Sequence, residues 1–239
     1  MGVAEIANFA QIYRHPYIMT NTSYLIERHP LKPFLPDGAQ VLMLGSFPPP
    51  HTRWSMEFYY PNFINDMWRI CGLVFFGDRD YFVAEGQRRF DRNRVAAFCE
   101  HHGIALYDTA TAVKRLRENA SDKYLEVVEP TDVAALLRRI PDCRAVVVTG
   151  EKAAETVLLS LNDPARAHSA TNGRARTHSA TNGHARVIPA IGESVEFEFE
   201  GRRIKLWRMP SSSRAYPLAL DKKAEFYRRM FSDAGVLRI

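Results

Sequence analysis

Short, unbroken apolar runs alternate along the chain with stretches whose apolar residues recur at helical spacing. Gln40–Leu44 (QVLML), Ile104–Tyr107 (IALY) and Ala145–Thr149 (AVVVT) are too short for helices and carry no polar alternation. That is the pattern of strands covered on both faces. Phe63–Leu73, Arg92–His102, Glu151–Leu161 and Asp221–Phe231 carry helical spacing. Gly103 is placed to stop the second of these helices, and Gly150 to open the third. Thr131 reads as the N-cap of a further helix running to Ile140, which Pro141 ends. Val195–Glu200 and Arg203–Trp207 flank Glu200-Gly201, the signature of a hairpin that leads into the last core strand. Strand and helix therefore alternate, which predicts an α/β domain with a mostly parallel sheet.

One segment departs from this rhythm. His168–Arg176 (HSATNGRAR) returns almost letter for letter as His178–Arg186 (HSATNGHAR). A short polar repeat with no apolar periodicity reads as a surface insertion, spanning 163–190, rather than a fold element. Its arginines and lack of acids leave contact with a phosphate backbone open, beside the plainer reading of a tolerated loop expansion. Its histidines have no thiol or carboxylate beside them, so a metal tract is not expected.

The chain has 239 residues, enough for one domain with a sizeable core over 1–239. Hydrophobic residues make up 46% and charged ones 25%, which excludes disorder of the whole chain. No apolar run nears the roughly 18 residues that span a bilayer. The N-terminal stretch lacks the basic and apolar regions of a secretion signal, and Ile6 stands where myristoylation wants a hydroxyl. Cys71, Cys99 and Cys143 are scattered and odd in number, as expected of buried thiols in a reducing cytoplasm. The net charge of +5 is compatible with an anionic partner.

Chemistry is sought in the loops that follow the apolar strands, because parallel sheets bind ligands beyond the carboxyl ends of their strands. Gly45–Pro50 (GSFPPP) is a sharp turn stiffened by prolines. Phe58–Trp68 (FYYPNFINDMW) offers aromatic faces that stack on bases, and two amides, Asn62 and Asn65, that bond a base edge or a water. Met209–Tyr216 (MPSSSRAY) offers backbone N–H groups and hydroxyls suited to phosphate oxygens, with Arg214 adding charge. Each loop alone also has a purely structural reading: a stiff turn, core aromatics with capping amides, and a polar turn before the last helix.

Taken as a set, in order and spacing, these segments resemble the uracil-DNA glycosylase superfamily. MPSSSRAYPLALDKKAEFY is similar to the C-terminal motif and helix of the mismatch-specific thymine/uracil-DNA glycosylases. GSFPPP, FYYPNFINDMW, HGIALYDTA and VVVTGEKAAE resemble the hypoxanthine-DNA glycosylase branch. The resemblance spans Gln40 to Phe231 and implies a three-layer α/β/α fold around a four-stranded, mostly parallel sheet. Three positions depart from it. Phe47 stands where the mismatch-specific branch has a water-activating Asn, and Thr149 where the hypoxanthine branch has Asn. The wedge arginine is displaced by one place from Arg214.

The resemblance implies monofunctional hydrolysis of an N-glycosidic bond in DNA by a monomer, with neither cofactor, metal nor lysine Schiff base. Asn65 is then the expected catalytic residue. Gly45, Ser46, Phe47, Tyr59, Tyr60, Asp108, Thr109, Thr149 and Gly150 are expected at the base, and Ser211, Ser212, Ser213 and Arg214 at the DNA backbone. Two other classes stay open: a DNA-binding or damage-recognition protein that kept the fold without the chemistry, as Phe47 favours, and a nucleoside or nucleotide hydrolase.

Overall fold

The computed structural model describes residues 25–117, 122–161 and 187–237. The N-terminal segment and residues 162–186, which hold the repeat 168–186 and most of the expected insertion 163–190, lie outside the described residues.

The three apolar runs form the middle of the sheet. Strands β2 (Val41–Gly45), β3 (Ile104–Asp108) and β6 (Ala145–Thr149) are buried at every position. Val41 pairs with Ile104 on one side and Ala145 on the other, both in parallel. Strand β8 (Arg202–Met209) joins β6 in parallel, with Val146 opposite Leu206. Strand β7 (Glu193–Phe199) adds an antiparallel edge to β8. The order is β3-β2-β6-β8-β7, so the sheet has five strands and not four. The expected hairpin is present, but its second strand is itself the last parallel strand, and its first supplies the extra edge.

Helices flank this sheet: α1 (Met67–Phe76), α2 (Arg92–His101), α3 (Val133–Arg139), α4 (Glu151–Leu161) and α5 (Leu220–Asp233). Among these, α1 packs on α5, and α3 on α4. Two helix starts differ from expectation. Helix α1 begins at Met67 and not at Phe63, because amides compete for the preceding backbone: Asn62 Oδ1 accepts from the Ile64 N–H at 3.1 Å and Asn65 Oδ1 from the Met67 N–H at 2.9 Å. The cap of α3 is Asp132, whose carboxylate accepts from the Ala135 N–H; the Thr131 hydroxyl is committed to the Asp108 carbonyl at 2.7 Å.

A second, antiparallel sheet of order β1-β4-β5 stands beside the first. It consists of β1 (Ile26–Arg28), β4 (Ala110–Arg115) and β5 (Leu125–Pro130). Only Thr109 separates β4 from β3. Arg115 pairs with Glu27 at 2.9 Å and donates to the Pro48 carbonyl at 3.1 Å, so the small sheet is tied to the proline loop after β2.

The chain leaves β2 toward β3 on one side and later crosses to β6 on the other. The connections of β2 and β6 therefore diverge, which opens a crevice at their carboxyl ends.

Candidate active site

A cavity of about 670 Å³ occupies that crevice. Leu31 and Arg53 line it together with Gly45–Pro49, Phe58–Asn65 without Phe63, the strand ends at Asp108 and Thr149, the pair Asp122–Lys123, and Ser211–Pro217. Its size is that of ordinary small-molecule sites, about 300–1,000 Å³.

Gly45 forms part of the floor because nothing larger fits. A Cβ there would run into the Asp108 carboxylate and lie 3.7 Å from the Tyr60 hydroxyl. Asp108 is held from behind by His29, whose Nε2 lies 2.8 Å from Asp108 Oδ2. The His29 side chain is only 1% exposed. Its Nδ1 lies against the Leu31 backbone, 2.9 Å from the carbonyl and 3.1 Å from the N–H. The ring packs edge-on to Phe47 at 5.4 Å and against Tyr107 at 4.6 Å. Phe47 touches the cavity, but most of its ring is spent on seating His29 and on a small cluster with Ala110, Val113 and Leu125.

The two tyrosines differ in role. Tyr59 is 3% exposed, its hydroxyl donates to the Lys32 carbonyl at 2.7 Å, and its ring sits among Phe58, Tyr107 and His29. It is mainly a core residue. Tyr60 is half-buried and adopts φ 48°, a left-handed conformation costly for a bulky residue. That backbone sets the ring edge-on to Trp68 and its hydroxyl 3.4 Å from Thr149 Oγ1, at the cavity. Burial raises the phenol's pKa, so it stays a neutral hydroxyl.

The serine loop is fixed by helix α5. The Lys223 side chain is fully buried; its ammonium donates to the Ser213 carbonyl at 2.8 Å and to Asp66 Oδ2 at 2.9 Å. Asp66 precedes α1, donates its own N–H to the Ser212 carbonyl, and faces Arg214 at 3.4 Å. The Tyr227 hydroxyl donates to the Pro210 carbonyl. Inside the loop, the Ser211 and Ser213 hydroxyl oxygens accept from the N–H groups of Ser213 and Ala215. The exposed side chains of Arg53, Lys123 and Arg214 stand among the lining residues as cations.

Gly45, Ser46, Phe47, Tyr59, Tyr60, Asn65, Asp108, Thr149 and Ser211–Arg214 thus converge on one cavity, while Thr109 and Gly150 are not among its lining residues. The Thr109 hydroxyl points to the Ser46 carbonyl, and the Gly150 N–H to the Met209 carbonyl, so both brace the turns from behind. Several residues escaped the sequence reading, among them the lining cations Arg53 and Lys123. His29 lies ahead of the first apolar strand and has no motif around it. Asp122 comes from the link between β4 and β5; burial raises its pKa, the nearby Asp108 adds to this, and a Ser46 hydrogen bond opposes it. Lys223 did leave a signal: it falls on the apolar stripe of α5 with Tyr227 and Met230, where a lysine needs a buried partner.

Among solved structures, the chain is similar to the solution NMR structure of "a putative Uracil DNA glycosylase" from Methanosarcina acetivorans. The TM-score is 0.54 over 88% of this chain and 99% of that one, at 19% sequence identity. The two proteins share a fold. No family model matches the chain, and no curated protein matches it. At that identity the likeness carries the architecture and leaves the chemistry to the residues of the cavity.

Proposed function

We propose that this protein is a DNA glycosylase that takes a deaminated base, of uracil or hypoxanthine type, out of the helix and hydrolyses its glycosidic bond. The observation that carries this reading is the convergence of the GSFPP turn, Tyr60 and the serine loop on one cavity, roomy enough to admit a base, at the switch point of the sheet. The fold shared with the Methanosarcina acetivorans protein supports it.

An extruded base enters between the Gly45 floor and the Tyr60 wall; stacking on an aromatic face contributes about 1–3 kcal/mol. The hydroxyls of Ser211 and Ser213 donate to the flanking phosphates, with Arg53, Lys123 and Arg214 supplying charge. Asn65 orients the attacking water. The water oxygen bonds to the sugar's anomeric carbon as the carbon–nitrogen bond breaks, and the base leaves with the electron pair. One water proton stays on the new sugar hydroxyl, and the other passes to solvent as the departing base takes up a proton in its place.

Phe47 favours a second reading, a DNA-binding protein of this fold without chemistry, since an apolar ring occupies the place where a relative of this kind carries a water-binding amide. Oligonucleotides carrying uracil, hypoxanthine, xanthine or mismatched thymine, single- and double-stranded, followed by alkali, separate the two. Strand breaks at a modified base are expected. DNA binding without breaks on any substrate leaves only the second reading.

A further inference from the structure

His29 is a histidine whose side chain is buried, and it belongs to none of the cavity loops, yet its partner is the carboxylate that meets the cavity floor. We propose that His29 is a positioning residue which holds Asp108 as a hydrogen-bond acceptor, so that the cavity selects bases carrying an N–H at the ring nitrogen of the pairing edge. The inference rests on the glycosylase reading and adds to it the means of telling a deaminated base from its parent.

The chemistry of deamination makes this the decisive atom. In cytosine and adenine the ring nitrogen of the pairing edge is an acceptor beside an amino donor. Hydrolytic loss of the amine makes it an N–H donor beside a carbonyl. A site that separates the two must therefore offer an acceptor to that nitrogen and a donor to its neighbour. The two oxygens of Asp108 are placed unequally for this. Oδ2 accepts from His29 Nε2 at 2.8 Å, while Oδ1 is the atom that leans over Gly45. The Tyr60 hydroxyl lies near the same glycine, and its 3.4 Å contact with Thr149 Oγ1 can be exchanged for a base carbonyl, which puts one donor beside the acceptor.

The histidine is itself constrained. Its Nδ1 is taken up by the Leu31 backbone and its ring is clamped by Phe47 and Tyr107, which leaves Nε2 aimed at Asp108. Phe47 in the first loop thereby acquires a role: it seats the residue that sets the acceptor. Without an N–H from behind, Asp108 would have one oxygen unpaired among Phe47, Tyr59 and Tyr107. The carboxylate would then be free to turn out of the acceptor geometry, and the preference for the N–H edge would fall with it.

The test compares the unaltered protein with His29→Leu, which removes the donor, and His29→Gln, which restores an N–H. Single-turnover base release is measured on matched oligonucleotides carrying uracil against cytosine and hypoxanthine against adenine. Equilibrium binding of free uracil and hypoxanthine and thermal melting are followed in parallel. His29→Leu is expected to lower the ratio of deaminated to parent release by about 10-fold or more and to weaken binding of the free deaminated bases. His29→Gln is expected to recover most of both. A His29→Leu protein that melts earlier but keeps the ratio and the binding overturns the inference and leaves the glycosylase reading intact. If the unaltered protein releases no base, the glycosylase reading falls instead. Free-base binding then decides alone: equal affinity in the unaltered protein and His29→Leu overturns the role of His29, and weaker binding in the variant sustains it.

Discussion

At the scale of single residues, Asn65 has two claims on it. Its amide oxygen accepts from the Met67 N–H at 2.9 Å and sets the first turn of α1, and the residue also lines the cavity. A carbonyl oxygen has two lone pairs, so capping leaves room for one water. Asn65→Ala is expected to lower the single-turnover rate of the folded protein by about 10²-fold, the loss typical of a positioned polar group, with DNA binding little changed. Loss of the cap is expected to cost about 1 kcal/mol of stability, seen in melting curves. An unchanged rate in the folded fraction would leave only the cap. The residues that sequence made visible here are those inside motifs: Gly45, Tyr60, Asp108, Thr149 and the serines. Of those it hid, His29 and Asp122 act from outside any motif. His29 reaches Asp108 across 79 positions, and no local pattern encodes a bond of that span.

At the scale of elements, the strands were legible wherever burial was two-sided, because VLML, IALY and AVVV have no polar residue to place. The small sheet was not. Its strands β4 and β5 mix Val with Lys, Arg and Glu, as one-sided strands do. A long link separates them, so no tight-turn signal joins them. The edge strand β7 was seen as half of a hairpin, and only pairing reveals that its partner completes the parallel sheet. Helix α5 is the element most closely bound to the cavity, through one buried ammonium. Lys223→Met is expected to destabilise the protein by about 3 kcal/mol, because it leaves the buried Asp66 carboxylate to Arg214 alone. Denaturant unfolding measures this. A loss below about 1 kcal/mol would mean that solvent already shares the charge.

At the scale of the whole molecule, the proposed function has a basic chain present its cavity to a polyanion. None of the helices among the described residues is long and apolar enough to cross a membrane. If Arg53, Lys123 and Arg214 each neutralise one phosphate, DNA affinity should fall with salt at a log–log slope of about −3. Titrations at several salt concentrations check this, and a flat dependence would argue against nucleic acid as the partner.

The buried ammonium of Lys223 has a mechanical consequence. It grips the Ser213 carbonyl on one lip of the cavity and the Asp66 carboxylate on the other, so the lips do not move independently. The mouth behaves as one jaw with a fixed gape, and its hinge pin is the last helix of the chain. On the proposed reading, nucleic acid meets a mouth whose ordering cost was met during folding, which strengthens binding without adding a contact. By the same token, any fraying that frees the ammonium from α5 loosens both lips at once. If DNA is the partner, as proposed, the grip on it is only as firm as the docking of helix α5.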